Sequence, residues 1–228
     1  MPRRLSPGDR IADVAAADLN AALRDPTIRA IRVAADHRAL DDLDVEAAAA
    51  DPKPILGAGG TTFVHLELWR RCGLVTYHGD TAGALAAETR GTETWSPGRA
   101  EGPLLGGDLA AIRSMIGAGL PDLTGAILLL TGERTLGLGQ VDRQLTHLRR
   151  AGILTRVRGV ALGHFKGFDG YADRGWTLSD VLADHLRGLP VPVLAGLPAG
   201  PDHPAVPVGT SAVLDADRRT LTIDPGIS

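Results

Sequence analysis

Residues 54–62 read PILGAGGTT. A short apolar run, Pro54 to Ala58, has the length and composition of a buried strand, and an amphipathic helical pattern, Thr62 to Cys72, begins just behind its glycines. Strand, tight turn and helix in that order form the nucleophile elbow of many α/β hydrolases, where the apex carries a Ser or Cys. Neither residue type occurs in this stretch. The turn is therefore either a catalytic elbow without its catalyst or a glycine turn that never needed one.

Working outward, Asp18 to Leu23 has helical spacing and is closed by Asp25-Pro26, because a residue before proline is pushed out of the α region. Ile28 to Ala34 (IRAIRVA) alternates as a strand, Leu43 to Ala50 follows as a helix, and Gly73 ends the helix after the elbow. Leu74 to Tyr77 is the next strand, giving the order βαβαβ. Thr81 to Pro103 is less regular, and the loop signal at Trp95 to Gly98 sets an expected boundary between domains 1–95 and 96–228. The second half reads as helix Asp108–Gly117, strand Ala126–Thr131, loop Glu133–Gly139, helix Val141–Ala151 and strand Arg158–Leu162. A loop, Gly163–Gly175, then a helix, Leu178–Leu186, and strands at Val191–Ala195, Ser211–Leu214 and Thr220–Ile223 complete it. Thr177 ahead of Asp180 has capping-box spacing. The expected fold class is α/β: an N-terminal parallel βαβ domain plus a smaller C-terminal α/β domain that ends in an antiparallel pair.

The bulk numbers restrict the partners. The chain has 228 residues, 44% hydrophobic and 22% charged, with net charge −3, so it lacks the basic stripe of a nucleic-acid binder and the polybasic patch of a membrane-surface protein. MPRRLSPGDRIADV has no apolar segment behind its arginines, and the run Ala126–Leu130 is far too short to span a bilayer. A cytoplasmic protein acting on a small molecule or peptide is the expectation. One cysteine, Cys72, excludes an intrachain disulfide framework and a thiolate zinc site. His37, His78 and His203 have no spacing that pre-forms a metal site, and no glycine stretch forms a dinucleotide fingerprint, so no cofactor is expected.

Several phrases resemble the LD-carboxypeptidase family of serine peptidases, which includes the microcin C self-immunity peptidases. They are PGDRIA (Pro7–Ala12), DLNAALRDPTIRAI (Asp18–Ile31), PKPILG with HLELWRRCGLVTYHG (within Pro52–Gly79), GPLLGGDL (Gly102–Leu109) and VDRQLTHLRRAGIL (Val141–Leu154). RGVALGHFKG (Arg158–Gly167), TLSDVLADHL (Thr177–Leu186) and PVLAGLPAG with VPVG (within Pro192–Gly209) continue it in order along almost the whole chain. The resemblance implies an N-terminal domain with a serine elbow, a C-terminal domain supplying Glu and His, a substrate between them, no metal, and a homodimer. It implies cleavage of an LD or related amide bond beside a free carboxylate, typically in murein tetrapeptides.

The residues expected to carry that chemistry differ. Where relatives read G-Y-S-D-I-T, this chain has Gly57-Ala58-Gly59-Gly60-Thr61-Thr62, with Gly59 at the serine position. Thr131 follows the run that usually ends in Glu, with Glu133 two residues on; His203 lies two residues late for the histidine. The glycine-rich oxyanion loop is matched by Ala34-Ala35-Asp36-His37-Arg38-Ala39, and two stretches, between Ala12 and Asp18 and within Ala82–Arg99, are shorter than in relatives.

Glycine cannot form an acyl-enzyme, so Asp36, His37, Glu133 and His203 become candidate acid–base residues and Gly59, Gly60, Thr61, His78, Asp80 and Thr131 candidate substrate contacts. The Gly60 and Thr61 amides are expected to point out of a helix N-terminus as an anion site. Thr61 and Thr62 are expected to cap that helix, and Cys72 to be a small buried hydrophobe. The bland alternative makes Asp36–Arg38 a solvated turn and His203 an ordinary loop residue. His65, His147 and His185 are expected to be surface or packing residues. Three functions stay open: a repurposed enzyme using noncovalent acid–base chemistry, a noncatalytic binder of a peptide or carboxylate, and a peptidase with a displaced nucleophile. The first is preferred because Asp-His-Arg, a set of reactive groups, replaces a glycine loop.

Overall fold

The computed structural model describes residues 1–2, 6, 8–81 and 88–226. Its first sheet begins with β1 (Arg10–Ala15), β2 (Ile28–Ala34), β3 (Ile55–Gly57) and β4 (Thr76–Thr81), all parallel neighbours in that order. The crossovers are α1 (Leu19–Arg24), α2 (Val45–Ala50) and α3 (Thr62–Cys72). The strand IRAIRVA buries Ile28, Ala30, Ile31 and Val33 while its arginines stay partly exposed, as its alternation requires. Lys53 is wholly buried, yet its ammonium donates to the carbonyls of Ala22, Leu23 and Asp25 at 2.7–2.9 Å, satisfying the C-terminal turn of α1.

The second sheet is built from β5 (Glu88–Arg90), β6 (Glu93–Ser96), β7 (Arg99–Asp108), β8 (Ile127–Glu133) and β9 (Gly159–Lys166), joined by strands from the end of the chain. A short hairpin, β10 (Ala172–Asp173) with β11 (Trp176–Thr177), stands apart. β12 (Val193–Ala195) pairs with β9 and β6, whereas β13 (Gly200–Pro204) and β14 (Val206–Val208) cross back to β4 of the first sheet. β15 (Ser211–Asp215) and β16 (Thr220–Ile223) return to the second sheet as the expected antiparallel pair. Its order is β5-β16-β15-β7-β8-β9-β12-β6, with β7, β8, β9 and β12 parallel.

Helices α4 (Leu109–Met115), α5 (Leu138–Arg150) and α6 (Leu178–Leu186) share one core with one face of that sheet. α5 shows why: Leu138, Val141, Leu145 and Leu148 recur at helical spacing and are all buried, each leucine contributing roughly 1.5–3 kcal/mol. The expected capping box at the start of α6 is present, with Thr177 and Asp180 each accepting from the other's backbone N–H. α3 bridges the two halves: Val64 and Leu68 enter the N-terminal core and Leu66 the core beneath α4.

The sequence reading needs correction in three places. The stretch expected as a loop, Gly163–Gly175, holds the end of β9, which runs on to Lys166, and strand β10. The stretch 88–108 forms three strands rather than an irregular loop, because Gly and Pro residues in RAEGPLLGGD are carried by pairing on both sides, to β8 and β15. β1, β13 and β14 were absent from the expectation; they are an exposed edge strand and two proline-containing segments whose partners are distant in sequence.

Candidate functional site

The carboxyl ends of the parallel strands of both sheets converge, and the elbow lies at their meeting point. β3 ends at Gly57; Gly59–Thr61 forms one 3-10 turn, and α3 starts at Thr62. The apex residue Gly59 has φ +55°, and a Cβ built there would meet no atom within 4 Å, so the apex faces open space. Gly60 is the opposite case. A Cβ there would overlap the Ala35 carbonyl oxygen and lie 3.2 Å from the Asp36 Cα. The glycine pair thus lets the loop after β2 press against the elbow, which brings Asp36 and His37 beside it.

Two expectations about the elbow threonines fail. Neither caps α3: the buried Thr61 hydroxyl donates to Val33 O at 2.9 Å and accepts from Ala35 N–H, while Thr62 Oγ1 accepts from Asp108 N–H at 2.9 Å. Both side chains turn inward because the glycine turn leaves room only for small polar groups that satisfy neighbouring strands. The Thr61 amide is also committed, donating to Ala58 O at 3.1 Å within the 3-10 turn, so it is not a free anion donor.

Beyond β2, Asp36 is exposed and its Oδ1 accepts from Arg38 N–H at 2.8 Å, an Asx-type turn. His37 is exposed as well, its ring 6.0 Å from that of Phe63 on α3.

Behind the elbow the two sheets are joined by a buried polar seam. His78 of β4 shares a 2.8 Å hydrogen bond between Nε2 and Thr131 Oγ1 of β8, both residues wholly buried. The His65 ring packs edge-on against His78 at 6.0 Å and donates from Nε2 to Gly57 O at 3.0 Å. The Nδ1 atoms of both rings are buried without a hydrogen-bond partner. Burial pushes His65 down to about 4, against the opposing effect of its Gly57 hydrogen bond. Burial also pushes His78 down to about 3, with the neighbouring His65 adding to it. Both rings are neutral at pH 7. His78, Thr131 and Thr61, three of the expected substrate contacts, therefore present no side-chain surface to solvent.

At the end of β8, Glu133 is exposed. Asp108 at the end of β7 is largely buried and caps α4, accepting from Ala111 N–H at 3.0 Å. Burial raises its carboxyl above the usual range; the Ala111 and Ala110 amides oppose this, and the charge of Glu133 adds a smaller push upward. His203 on β13 lies half-buried with its ring 5.0 Å from that of His164 on β9. His164 Nε2 is 3.8 Å from Asp169 Oδ2. Among the described residues no hydrogen bond or ion pair links Asp36, His37, Glu133 and His203 to one another. The backbone of Asp80 belongs to β4, but its side chain lies outside the described residues.

Asp108, His164 and Asp169 were not among the residues singled out from sequence. GHF gave a weak signal, a histidine just past the expected strand Arg158–Leu162, whereas Asp108 was read only as the start of a helix. Cys72 corrects its expectation: it is exposed, because the last turn of α3 runs out of the core, and its Sγ bonds Leu68 O at 3.1 Å. His65 and His185 are buried packing residues, His185 held 2.8 Å from Asp142 across α5 and α6. Among the described residues no group of three or more His, Cys, Asp or Glu side chains is placed to hold a metal, and no helix is long and apolar enough to cross a membrane.

Two sheets, each with a parallel core and helices packed on it, joined through the elbow, α3 and a polar seam, define a mixed α/β architecture. The chain belongs to the LD-carboxypeptidase family: the N-terminal domain of that family matches residues 12–79 and its C-terminal domain residues 101–214. A Streptomyces coelicolor protein named as a carboxypeptidase is 38% identical over 92% of this chain and 76% of its own. The fold is similar to that of the muramoyltetrapeptide carboxypeptidase from Oxalobacter formigenes, with TM-score 0.78 and 24% identity over 93% of this chain and 83% of that one. It is also similar to the microcin C7 self-immunity protein MccF in complex with glutamyl sulfamoyl guanosine, with TM-score 0.77 and 20% identity over 93% and 81% of the chains.

Proposed function

We propose that this protein is a member of the LD-carboxypeptidase family that has lost the serine-peptidase triad and carries out noncovalent acid–base chemistry on a small metabolite or peptide intermediate. The observation that carries the reading is Gly59: the elbow keeps a left-handed apex that faces open space, yet the apex residue has no side chain to attack with. Asp36 and His37 lie beside the elbow, Asp108 is tied to it through its N–H to Thr62 Oγ1, and Glu133 is near enough to Asp108 for its charge to act on that carboxyl. His203 comes in on β13, which is paired to β4. A proton donor and acceptor on opposite sides of a bound molecule suffice for isomerisation, elimination, cyclisation or hydrolysis without an acyl-enzyme.

A displaced nucleophile finds no support in Thr61 and Thr62, whose hydroxyls are spent on interior hydrogen bonds, or in Cys72 at the far end of α3. The second reading, a noncatalytic binder of a peptide or carboxylate, is favoured by one specific fact, that among the described residues no hydrogen bond or ion pair joins the four acid–base candidates.

The test is incubation of the purified protein with an LD-linked murein tetrapeptide and, separately, with a fluorophosphonate probe. The expected result is neither cleavage nor labelling. Cleavage with a labelled residue would sink the proposal and restore a conventional peptidase.

A further inference from the structure

A cavity of about 430 Å³ opens at the carboxyl ends of β9 and β12, and its lining includes His164, His203, Asp169, Trp95, Phe168 and Ser179. That volume is in the range of small-molecule sites. Its construction is specific. A Cβ on Gly200 would fall 3.0 Å from Thr131 Cβ and 3.2 Å from His164 O, so only glycine lets the start of β13 lie on the end of β9. His164 N–H donates to Ala199 O at 2.7 Å, fixing the crossing. Asp202 then adopts φ +65° and meets Lys166 at 3.1 Å, and the next residue, His203, comes to lie 5.0 Å, ring to ring, from His164.

The charge around the cavity is unevenly placed. Glu93 lines it and is bound at 2.6 Å by Arg187 from the end of α6, whose guanidinium lies over the Trp95 ring at 5.1 Å. Asp169 is highly exposed at the mouth, 3.8 Å from His164 Nε2. A negatively charged ligand would meet that carboxylate with Arg187 already engaged. An aromatic or branched apolar body, by contrast, finds Trp95 and Phe168, and a donor group finds two imidazoles and a carboxylate that can accept.

We propose that this cavity is a binding site for a small amphipathic molecule with an apolar, preferably aromatic, body and a proton-donating polar head that is neutral or cationic, with the head held by His164 and His203. The site supplies a place for the substrate's body beside the acid–base groups and adds His164 to them; that catalytic role rests on the proposed function, whereas the binding does not.

The experiment uses tyramine, N-acetyltyramine and para-hydroxyphenylacetate, which share one aromatic body and carry a cationic, a neutral and an anionic head. Binding is read by calorimetry and by the ring-proton NMR signals of His164 and His203. Tyramine and N-acetyltyramine are expected to bind and to shift both rings, the anion to bind about tenfold more weakly or not at all. Ser179→Trp, an exposed change at the cavity wall, should abolish binding, and His164→Asn should weaken it by about tenfold. Equal or tighter binding of the anion, binding that leaves the two rings unshifted, or no binding of any of the three overturns the proposal. Because the readout is binding, tyramine binding by a protein that also cleaves murein tetrapeptide would retire the functional reading and leave the cavity standing.

Discussion

His78 Nε2 on β4 and Thr131 Oγ1 on β8 lie 2.8 Å apart inside a seam closed to solvent, and this bond ties the first sheet to the second. Among the described residues Nδ1 of the same ring has no hydrogen-bond partner, so the threonine hydroxyl at Nε2 is the ring's hydrogen-bonding link there. Thr131→Val keeps the shape and removes that link. It is expected to cost about 1–3 kcal/mol in urea unfolding, the penalty of stranding a buried polar group. An unchanged midpoint would mean that the seam is held by packing alone.

The two neutral seam histidines fix the direction of a pH effect. Their folded-state values, about 4 for His65 and about 3 for His78, lie below the ordinary histidine value of 6.5. The unfolded chain therefore binds protons that the folded one refuses, and stability is full above about pH 6.5 and falls as pH drops toward about 4. The raised Asp108 carboxyl acts in the opposite sense, stabilising most below its unfolded value and losing this as pH rises through its folded one. Asp25, Asp44, Asp122 and Asp180, held low by hydrogen bonds, lose their contribution only as pH falls below the ordinary carboxylate value of 3.8. The window from pH 6.5 to 4.5 thus belongs mainly to the histidines. Urea midpoints should fall across it, and His65→Gln should flatten the slope; a flat profile in the parent protein would contradict the buried neutral pair.

Lys53→Met removes a buried ammonium that donates to the carbonyls of Ala22, Leu23 and Asp25, of which Asp25 O keeps the Ile28 N–H. The change should cost about 2–4 kcal/mol, since hydrogen bonds to a charged donor are among the stronger ones. Amide exchange in α1 should speed up first. Protection that is unchanged there would show that the lysine is a spectator.

The elbow makes an asymmetric prediction about adjacent glycines. Gly59→Ala and Gly59→Ser have open space and pay only for a left-handed backbone, about 1–2 kcal/mol. Gly60→Ala must push the loop after β2 away from the Ala35 carbonyl and is expected to cost more than about 3 kcal/mol. Thermal unfolding of the pair decides it, and equal losses would show that the apex is not the open position described.

Local patterns were legible because neighbouring residues enforce them. The strand Ile28–Ala34, the helices Thr62–Cys72 and Leu178–Leu186 and the strand Thr220–Ile223 have the bounds that alternation, helical spacing and the Thr177–Asp180 box indicate. The glycine elbow was legible as a shape, since a strand, small residues and a helix allow few other arrangements. Asp36 and His37 could likewise be placed near it, by resemblance and by their position just past a strand.

The remainder depended on partners far away in sequence. GPDHP has no strand pattern of its own, and becomes β13 only because β4 offers an edge and Gly200 fits against Thr131. That crossing alone sets His203 against His164, thirty-nine positions earlier, so neither the histidine pair nor its cavity could be read from spacing. Sequence by itself determined the α/β class, the family resemblance and a turn without a nucleophile, because these are written in contiguous periodicity and residue type. Tertiary structure decided which polar residues became buried seam and which stayed available for chemistry: Thr61, His78 and Thr131 went inward, His37, Glu133 and His203 remained accessible. The physical reason is that burial is set by the packing of one sheet on the other, a property no short stretch of chain contains.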